Sequence, residues 1–404
     1  MSDLFERLGV PTIINAYGPS TRLSGGLMRP EVAQAMVEAS ASCVDIAELQ
    51  AAAGKVIAEA TGAEAGYVTS GAAAGLLLAT AAAIAGLDPG AMSRLPDTRG
   101  LKNQVIVARS QRNMYDHAVR AAGARLVEVG LPDRIAGAGI RDAEPWEYAA
   151  AITDRTAAIY YVATPESRPT LGEVCDVAHA RGVPVIVDAA AQLPPLSNLG
   201  RFIAEGADLA VFSGGKAIGG PQASGILAGR RDLVMSAALQ HLDMDVDPDT
   251  WAPPPALIDR SLLSGLPHHG IGRPCKVGKE EIAGLVTALA LALKEDADGS
   301  RLARWRRLAG ELCDALNAIG CGRATVVADP ARDDVPAVHL DVGRDAAGLA
   351  LALVRGRPAV HSNPARHGEG VLVFGVLCLG DGDPARIADA LARVAKAGAQ
   401  AAGG

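Results

Sequence analysis

The stretch Asp208-Leu-Ala-Val-Phe212-Ser-Gly-Gly-Lys216-Ala-Ile-Gly-Gly-Pro-Gln222 places one lysine in a glycine-bracketed turn directly after a short apolar run. Short apolar runs bounded by turn residues are typical of buried strands in parallel sheets. Upstream, Val183-Pro-Val-Ile-Val187 is a second such run, and it ends on Asp188. Because open α/β sheets bind ligands outside the carboxyl ends of their strands, we expect Lys216 and Asp188 to share one site.

An amine and a carboxylate at such an edge are the two groups that pyridoxal 5′-phosphate (PLP) needs. The lysine forms a Schiff base with the cofactor aldehyde, and the acid keeps the pyridine nitrogen protonated. A P-loop is the competing interpretation of the lysine, but a Walker A motif has glycine six residues before its lysine and Ser or Thr after it. Those positions hold Ala210 and Ala217, so we favour PLP over ATP.

A phosphate site is predicted at Thr69-Ser70-Gly71-Ala72, which lies between an apolar strand run and an apolar helix. The N-terminus of a helix binds anions through its free N–H groups and its dipole. We expect Ser70 to cap the helix and to offer its hydroxyl, and Gly71 to allow close approach. Taken alone, this pattern is more often an ordinary capped helix, and Asp188 alone is more often a turn residue. Lys216 makes the joint pattern favour a cofactor.

The spacing of the segments predicts an α/β fold. From residue 56 to about 229, helical and strand-like patterns alternate, which favours a mostly parallel seven-stranded sheet with helices on both faces. The last strand follows Lys216 too closely for a crossover helix, so we expect it to run antiparallel. The predicted strands are 65–69, 104–108, 125–129, 157–162, 183–188, 208–212 and 225–228.

A chain of 404 residues favours more than one domain. We predict an N-terminal segment, 1–45, that packs on the active site, and a large PLP-binding domain, 46–275. The rest, 276–404, is predicted to be a linking helix from 279 to about 294 and a smaller C-terminal α+β domain. A long polar loop is expected at 88–103.

Composition argues against several classes of protein. The net charge of −7, the 3% of aromatic residues and the lack of a Lys/Arg block argue against nucleic acid as a partner. The N-terminus does not have the pattern of a signal peptide, and the apolar runs at 76–87 and 282–293 are too short to span a membrane. We therefore expect a cytoplasmic protein. Its six cysteines have no C-x-x-C spacing, so no metal site is predicted.

Several phrases resemble the SelA-like branch of the fold-type I PLP enzymes, over nearly the whole chain. They are Phe212-Ser-Gly-Gly-Lys216-Ala-Ile-Gly-Gly-Pro-Gln222-Ala-Ser-Gly225, Asn15-Ala-Tyr-Gly18, Asp45-Ile-Ala-Glu-Leu-Gln50, Thr61-Gly-Ala-Glu64 and Val277-Gly-Lys-Glu-Glu281. The D-glucosaminate-6-phosphate ammonia-lyase subgroup is the most similar, through Leu95-Pro-Asp-Thr98, Lys102-Asn103 and Tyr115-Asp-His117-Ala118. This resemblance implies that Lys216 is the Schiff-base lysine and Asp188 the partner of the pyridine nitrogen. It also implies a phosphate site around Ser70, Gly71, Ala72 and Ser213, and a homodimer or larger homo-oligomer.

Other candidate residues follow the strand at 104–108. Gln111, Arg112 and His117 are candidates for contact with the cofactor ring, although Asp116 and His117 equally fit a helix start facing solvent. Arginine pairs well with carboxylate or phosphate, so we expect a small anionic substrate to meet residues from one basic set, which are Arg22, Arg112, Arg273, Lys276 and His361.

Together with the residues, this resemblance implies a PLP-dependent lyase that removes ammonia, through β-elimination of water, from a small hydroxy amino acid or an amino sugar acid such as D-glucosaminate 6-phosphate. An aldolase, a racemase or an aminotransferase remains an alternative, because all of these reactions begin on the same cofactor. A non-catalytic α/β binding module is the alternative from another class.

Overall fold

The computed structural model describes residues 4–131, 142–332, 334–343 and 345–402, with side chains to residue 397. The chain divides into two compact units, Met1–Met28 with Leu291–Gly404, and Arg29–Ala290. The boundaries expected from the sequence, near residues 45 and 275, stay predictions.

The described helices are α1 (Leu4–Arg7), α2 (Pro30–Ser40), α3 (Ile46–Thr61), α4 (Ala72–Ala85), α5 (Pro89–Arg94), α6 (Asp116–Ala121), α7 (Pro145–Ala151), α8 (Leu171–His179), α9 (Asn198–Ala204), α10 (Arg231–His241), α11 (Lys279–Ala297), α12 (Ser300–Ile319), α13 (Ala346–Arg355) and α14 (Asp383–Ala402). The described strands are β1 (Ile13–Ala16), β2 (Ala65–Thr69), β3 (Gln104–Ala108), β4 (Arg125–Val129), β5 (Thr156–Val162), β6 (Val185–Asp188), β7 (Leu209–Ser213), β8 (Gly225–Gly229), β9 (Arg323–Asp329), β10 (Val335–Asp341), β11 (Ala359–Ser362) and β12 (Val371–Gly375).

The unit Arg29–Ala290 is built on a seven-stranded sheet in the order β2-β8-β7-β6-β5-β3-β4. The pairs from β4 to β7 are parallel, whereas β8 runs antiparallel to both β7 and β2. This confirms the predicted α/β fold, including the antiparallel strand. The physical reason is the short turn at Lys216, which leaves too little chain for a crossover.

Helices cover both faces of this sheet. On one face, α4 packs against alternate strand residues such as Tyr160, Ile186 and Val211, and α10 packs against α4, β2 and β8. Nearly every residue of α4 after its first turn is buried, as expected for a helix that is apolar all round. On the other face, Phe202 of α9 packs against Phe212 of β7, with ring centroids 6.1 Å apart.

The unit that contains the C-terminus is an α+β structure, as predicted for the smaller domain. It has a three-stranded antiparallel sheet in the order β12-β10-β9 and a parallel pair, β1 with β11. Its core joins Trp305 and Leu312 of α12 to Phe374 of β12 and Ile387 of α14.

The expected polar loop at 88–103 contains a helix, α5, which sequence reasoning missed. Asp88 caps it by accepting hydrogen bonds from the N–H groups of Gly90 and Ala91 at 2.8 and 3.3 Å, and Pro89 fits the first turn. The predicted linking helix is present as α11. Within the part of the chain that the structure describes, no helix is both long and apolar enough to cross a membrane.

Candidate active site

Lys216 lies in a tight turn between β7 and β8. Gly214 N–H donates to Ser224 O at 2.9 Å, and Gln222 Nε2 donates to Gly215 O at 2.8 Å. A Cβ on Gly214 would lie 2.3 Å from Ser224 Oγ, and one on Gly215 would lie 2.7 Å from Gln222 Cα. Only glycine fits at these positions, so the turn holds the half-buried Lys216 in a defined place.

Asp188 is the last residue of β6 and is buried. Its Oδ2 accepts a hydrogen bond from the Tyr160 hydroxyl at 3.0 Å, and its Oδ1 accepts one from Ala190 N–H at 3.0 Å. Burial raises the pKa of Asp188, while the two hydrogen bonds and the positive charge of Lys216 oppose the rise. The pKa of this carboxyl group is therefore raised even though the charge of Lys216 acts on it.

The start of α4 lies on the same face of the sheet as Asp188. Asp188 pairs with Val211 across β6 and β7, so the two side chains share a face. A Cβ on Gly75, in the first turns of α4, would lie 2.8 Å from Val211 Cγ1. The close packing at Gly75 thus brings the N-terminus of α4 next to the strand that adjoins Asp188.

The predicted phosphate residues come together at neighbouring strand ends. Gly225 of β8 pairs with Thr69 of β2 on one side and with Ser213 of β7 on the other. A Cβ on Gly225 would lie 2.9 Å from the backbone nitrogen of Ala72. The bare backbone of Gly225 therefore lets the start of α4 approach the end of β8 closely, next to the strand that ends at Ser213.

The predicted cap of α4 was wrong by one residue. The N-cap is Gly71, with φ 126 and ψ 163, a backbone conformation that L-residues rarely adopt. Ser70 instead donates its hydroxyl proton to Cys275 O at 2.6 Å. Because the cap has no side chain, it does not cover the N–H groups of the first turn, which have no partners within the helix.

Gln111 is buried three residues after the end of β3, and one residue of β5 links it to Asp188. Its Oε1 accepts a hydrogen bond from Val162 N–H at 2.9 Å, and Val162 pairs with Asp188 across β5 and β6. The Gln111 Nε2 group is buried without a hydrogen-bond partner among the described residues. A buried amide donor of this kind needs an acceptor, and a ligand at the strand ends would supply one.

The other two ring candidates are placed differently. Arg112 is bound to the carboxylates of Asp116 and Glu128. Asp116 is buried, contrary to the alternative in which it faces solvent. His117 is exposed, and its Nδ1 lies 3.0 Å from a guanidinium nitrogen of Arg120. The arrangement thus supports Gln111 as the ring contact more than His117.

The remaining basic candidates fall into two groups. In the unit of the sheet, Arg273 donates to His241 O and to Asp243 Oδ2, both at 3.1 Å, and Lys276 is exposed. In the other unit, the Arg22 guanidinium lies over the Tyr17 ring at 5.8 Å from its centroid. Burial, aided by the charge of Arg22, lowers the pKa of His361. Their roles toward a substrate stay predictions.

Sequence reasoning missed Tyr160 and His241. The Tyr160 hydroxyl donates a hydrogen bond to Asp188, and His241 Nε2 lies within hydrogen-bond distance of the Cys275 carbonyl oxygen. The alternation along β5 places Tyr160 and Val162 on one face, but their link to Asp188 requires the strand order. Among the described residues, no group of three His, Cys, Asp or Glu side chains is placed to hold a metal ion.

These residues fit PLP. Lys216 would supply the amine, and the N-terminus of α4 would supply an anion site. Burial raises the pKa of Asp188 despite the charge of Lys216, and a protonated pyridine nitrogen beside this carboxylate would oppose that rise; among the described residues, the Nε2 group of Gln111 has no acceptor. The fold and the site together define a fold-type I PLP-dependent enzyme.

Comparison with known proteins agrees. The family SelA, L-seryl-tRNA selenium transferase, matches residues 31–245. The 5′-C-glycyluridine monooxygenase-decarboxylase of a Streptomyces species is 32% identical over 375 residues, 88% of this chain and 83% of the relative. The D-glucosaminate-6-phosphate ammonia lyase of Salmonella typhimurium is 32% identical over 295 residues, 71% of this chain and 69% of the relative.

A solved structure of D-glucosaminate-6-phosphate ammonia-lyase is similar over 99% of this chain and 100% of its own, with a TM-score of 0.81 and 28% identity. The chain belongs to the SelA family.

Proposed function

We propose that the chain is an ammonia lyase that removes water and then ammonia from a small anionic hydroxy amino acid or amino sugar acid. D-Glucosaminate 6-phosphate is the first substrate to test. The observation that carries the proposal is the likeness to the solved D-glucosaminate-6-phosphate ammonia-lyase, which covers 99% of this chain and all of that one. The curated relative of the same name supports it.

Three groups of residues have proposed roles. When bound, PLP supplies an aldehyde that takes up an amine and a ring that accepts electrons from a bond broken at the substrate α-carbon. Lys216 holds the resting cofactor, removes the α-proton, and protonates the departing β-hydroxyl. Asp188, held by Tyr160, keeps a proton on the pyridine nitrogen. Ser213 and the turn from Ser70 to Ala72 bind the phosphate.

The proposed reaction balances without an oxidant. A C–H bond at the α-carbon and a C–O bond at the β-carbon break, and water leaves. The enamine that remains takes up a proton at its β-carbon and becomes an imine. Water then hydrolyses the imine to a 2-oxo acid and ammonia.

The experiment is to incubate the PLP-loaded enzyme with D-glucosaminate 6-phosphate and to measure 2-oxo acid and ammonia in equal amounts. D-Gluconate 6-phosphate, which has no amine, is the matched control substrate, and Lys216→Ala is the control protein. The Lys216→Ala protein should also lose the absorbance band at about 420 nm that marks the lysine-bound cofactor, whereas Lys55→Ala on the exposed face of α3 should keep it. Absence of 2-oxo acid at saturating PLP would reject this substrate.

The same assay separates the other outcomes on this cofactor. An aldolase would release an aldehyde, a racemase would form the epimer at the α-carbon without releasing ammonia, and an aminotransferase would need a 2-oxo acid as acceptor. A protein with no absorbance change on addition of PLP would instead support a non-catalytic binding module.

An oxidative decarboxylation is the second candidate function. It is favoured by the 5′-C-glycyluridine monooxygenase-decarboxylase, whose sequence match covers 88% of this chain, against 71% for the curated ammonia lyase. A monooxygenase consumes oxygen, whereas the elimination does not. Measuring oxygen uptake with 5′-C-glycyluridine beside the 2-oxo acid assay therefore discriminates between the two functions.

The substrate contacts and the assembly are further parts of the proposal. Arg22, Arg112, Arg273, Lys276 and His361 are the proposed contacts for the anionic groups of the substrate. We also propose a cytoplasmic homodimer or larger homo-oligomer that binds neither nucleic acid nor membrane. Sedimentation of the purified protein measures the assembly, and a monomer at assay concentration would contradict that part.

A further inference from the structure

The carbonyl oxygen of Cys275 accepts two hydrogen bonds close to Ser70, which lies just before the start of α4. Ser70 Oγ donates to it at 2.6 Å, and His241 Nε2 lies 2.8 Å from it. Ser70 belongs to the proposed phosphate site, whereas His241 is the last residue of α10. A hydroxyl has one proton, so Ser70 cannot donate to Cys275 and to a phosphate at the same time.

The contacts of His241 define its tautomer. A carbonyl oxygen can only accept, so Nε2 carries the proton and donates to Cys275 O. Nδ1, 2.9 Å from the Tyr67 hydroxyl, accepts. The ring is buried, and burial lowers the pKa of His241, which favours the neutral form. His241 is therefore a fixed donor to the Cys275 carbonyl.

The loop that ends at Cys275 is held tightly against α10. Gly272 N–H donates to Gln240 O at 2.9 Å, and the Arg273 guanidinium donates to His241 O at 3.1 Å. A Cβ on Gly270 would lie 2.4 Å from Gln240 Cα. These contacts keep the Cys275 carbonyl beside His241 whatever Ser70 does.

We propose that His241 is a positioning residue for the cofactor phosphate: its Nε2–H keeps the Cys275 carbonyl hydrogen-bonded while Ser70 turns its proton toward the phosphate. Without this second donor, the turn of Ser70 would leave the carbonyl oxygen of the half-buried Cys275 without a protein donor, and folded proteins rarely leave such groups unpaired. The inference rests on the proposed role of Ser70 at the phosphate, and it is independent of which substrate the enzyme uses.

The test compares the affinities for PLP and for pyridoxal, which lacks the phosphate. The proteins are the wild type, Ser70→Ala, His241→Phe and the double variant. We expect Ser70→Ala and His241→Phe each to weaken PLP binding on the order of 10-fold, the cost of one hydrogen bond to a charged group, with pyridoxal binding unchanged. The double variant should bind PLP no more weakly than Ser70→Ala, since His241 acts through Ser70.

His241→Gln is the conservative control, because its amide can donate to the same carbonyl, and it should keep the wild-type ratio of PLP to pyridoxal affinity. Equal losses for both ligands in His241→Phe, or additive losses in the double variant, would overturn the proposal. An unchanged PLP affinity in Ser70→Ala would also overturn the proposal. That measurement does not depend on whether the His241 variants fold. Failure of the ammonia-lyase function would leave these binding results unaffected, so the two failures are distinguishable.

Discussion

The carboxylate of Asp188 is costly to the protein when no cofactor is bound. Burial raises its pKa, and the hydrogen bonds from Tyr160 and Ala190 together with the charge of Lys216 only partly offset this. In the unfolded chain, the Asp188 carboxyl group has its ordinary pKa of about 3.9. At a pH above that value, the unfolded chain has released the proton, whereas the folded chain still holds it. The stability of the cofactor-free protein therefore falls as the pH rises from that value through the raised pKa.

Asp188→Asn should remove this cost, because an amide does not ionise. The melting temperature of the cofactor-free variant should exceed that of the wild type at pH 7.5, and the difference should shrink toward pH 4. With PLP bound, the variant should lose catalytic rate on the order of 100-fold or more, as expected when a preorganised charge is removed. Thermal melts across pH and a rate assay measure the two effects.

Asp232→Asn, at an exposed salt bridge to Arg230, is a suitable control for Asp188→Asn, since solvent-exposed pairs contribute little. A stability difference between the Asp188→Asn variant and the wild type that stays constant from pH 4 to 7.5 would contradict the assignment.

The positions of individual candidate residues were predictable when chemistry and local pattern coincided. Asp188 ends one apolar run and Lys216 lies in the turn that follows another, so their place at the strand ends could be inferred. Tyr160 could not, because its hydrogen bond to Asp188 depends on the pairing of β5 with β6. The Ser70 cap was predicted wrongly because the favoured capping residue type was weighed above the backbone freedom of Gly71.

The start of α4 depends on the backbone of Gly71. Gly71→Ala should lower the stability by about 1 to 3 kcal/mol, the cost of holding an L-residue in such a conformation. A Cβ there meets nothing within 4 Å, so the cost is conformational and not a clash. Because the first turn must shift to relieve it, PLP affinity should fall as well. Chemical denaturation and a PLP titration measure the two quantities.

Gly86→Ala is the matched control for Gly71→Ala, since Gly86 ends the same helix at φ 55 and also has open space around it. It should destabilise the protein and leave PLP affinity unchanged. Equal effects of the two substitutions on PLP affinity would mean that the N-terminus of α4 is not the phosphate site.

One glutamine of α3 forms hydrogen bonds with the backbone of the edge strand β2. Gln50 is fully buried, and its side chain bonds both backbone groups of Val68, donating to O at 2.9 Å and accepting from N–H at 3.0 Å. Gln50→Leu should destabilise the protein by about 2 to 4 kcal/mol, because both backbone groups lose their partner. Denaturant unfolding measures the loss.

For the Gln50 prediction, Gln34→Leu provides the comparison. Gln34 is exposed on α2 and bonds Glu38, so its replacement should change the stability by less than about 0.5 kcal/mol. A Gln50→Leu protein as stable as Gln34→Leu would show that water satisfies the edge of β2.

At the scale of the whole molecule, the proposed cofactor residues belong to one compact unit, Arg29–Ala290. A ligand raises the free energy of opening of the structure that it contacts. Addition of PLP should therefore slow amide hydrogen exchange in residues 69–76, 185–190 and 213–222 more than in α12 and α14. Mass spectrometry of exchanged peptides measures this, and equal slowing in all of them would contradict the prediction.

Most of the fold could be predicted because the apolar runs are short, regularly spaced and separated by glycine or proline. The predicted strands match β2 to β8 to within two residues at either end. The order of strands in the sheet was beyond sequence reasoning, since it depends on contacts between distant segments. The same limit applies to His241 and Cys275, which meet through tertiary packing alone.

The position of β8 between β2 and β7 has a consequence for synthesis on the ribosome. The nascent chain exposes β2 early, yet its sheet neighbour begins at Gly225. Until β7 and β8 have been synthesised, the preceding α3 is the main element that can cover the apolar residues of β2. Incomplete chains with exposed apolar residues are prone to aggregate. The sheet can therefore be completed only after synthesis has passed Gly229, and the turn that carries Lys216 lies within the same late segment.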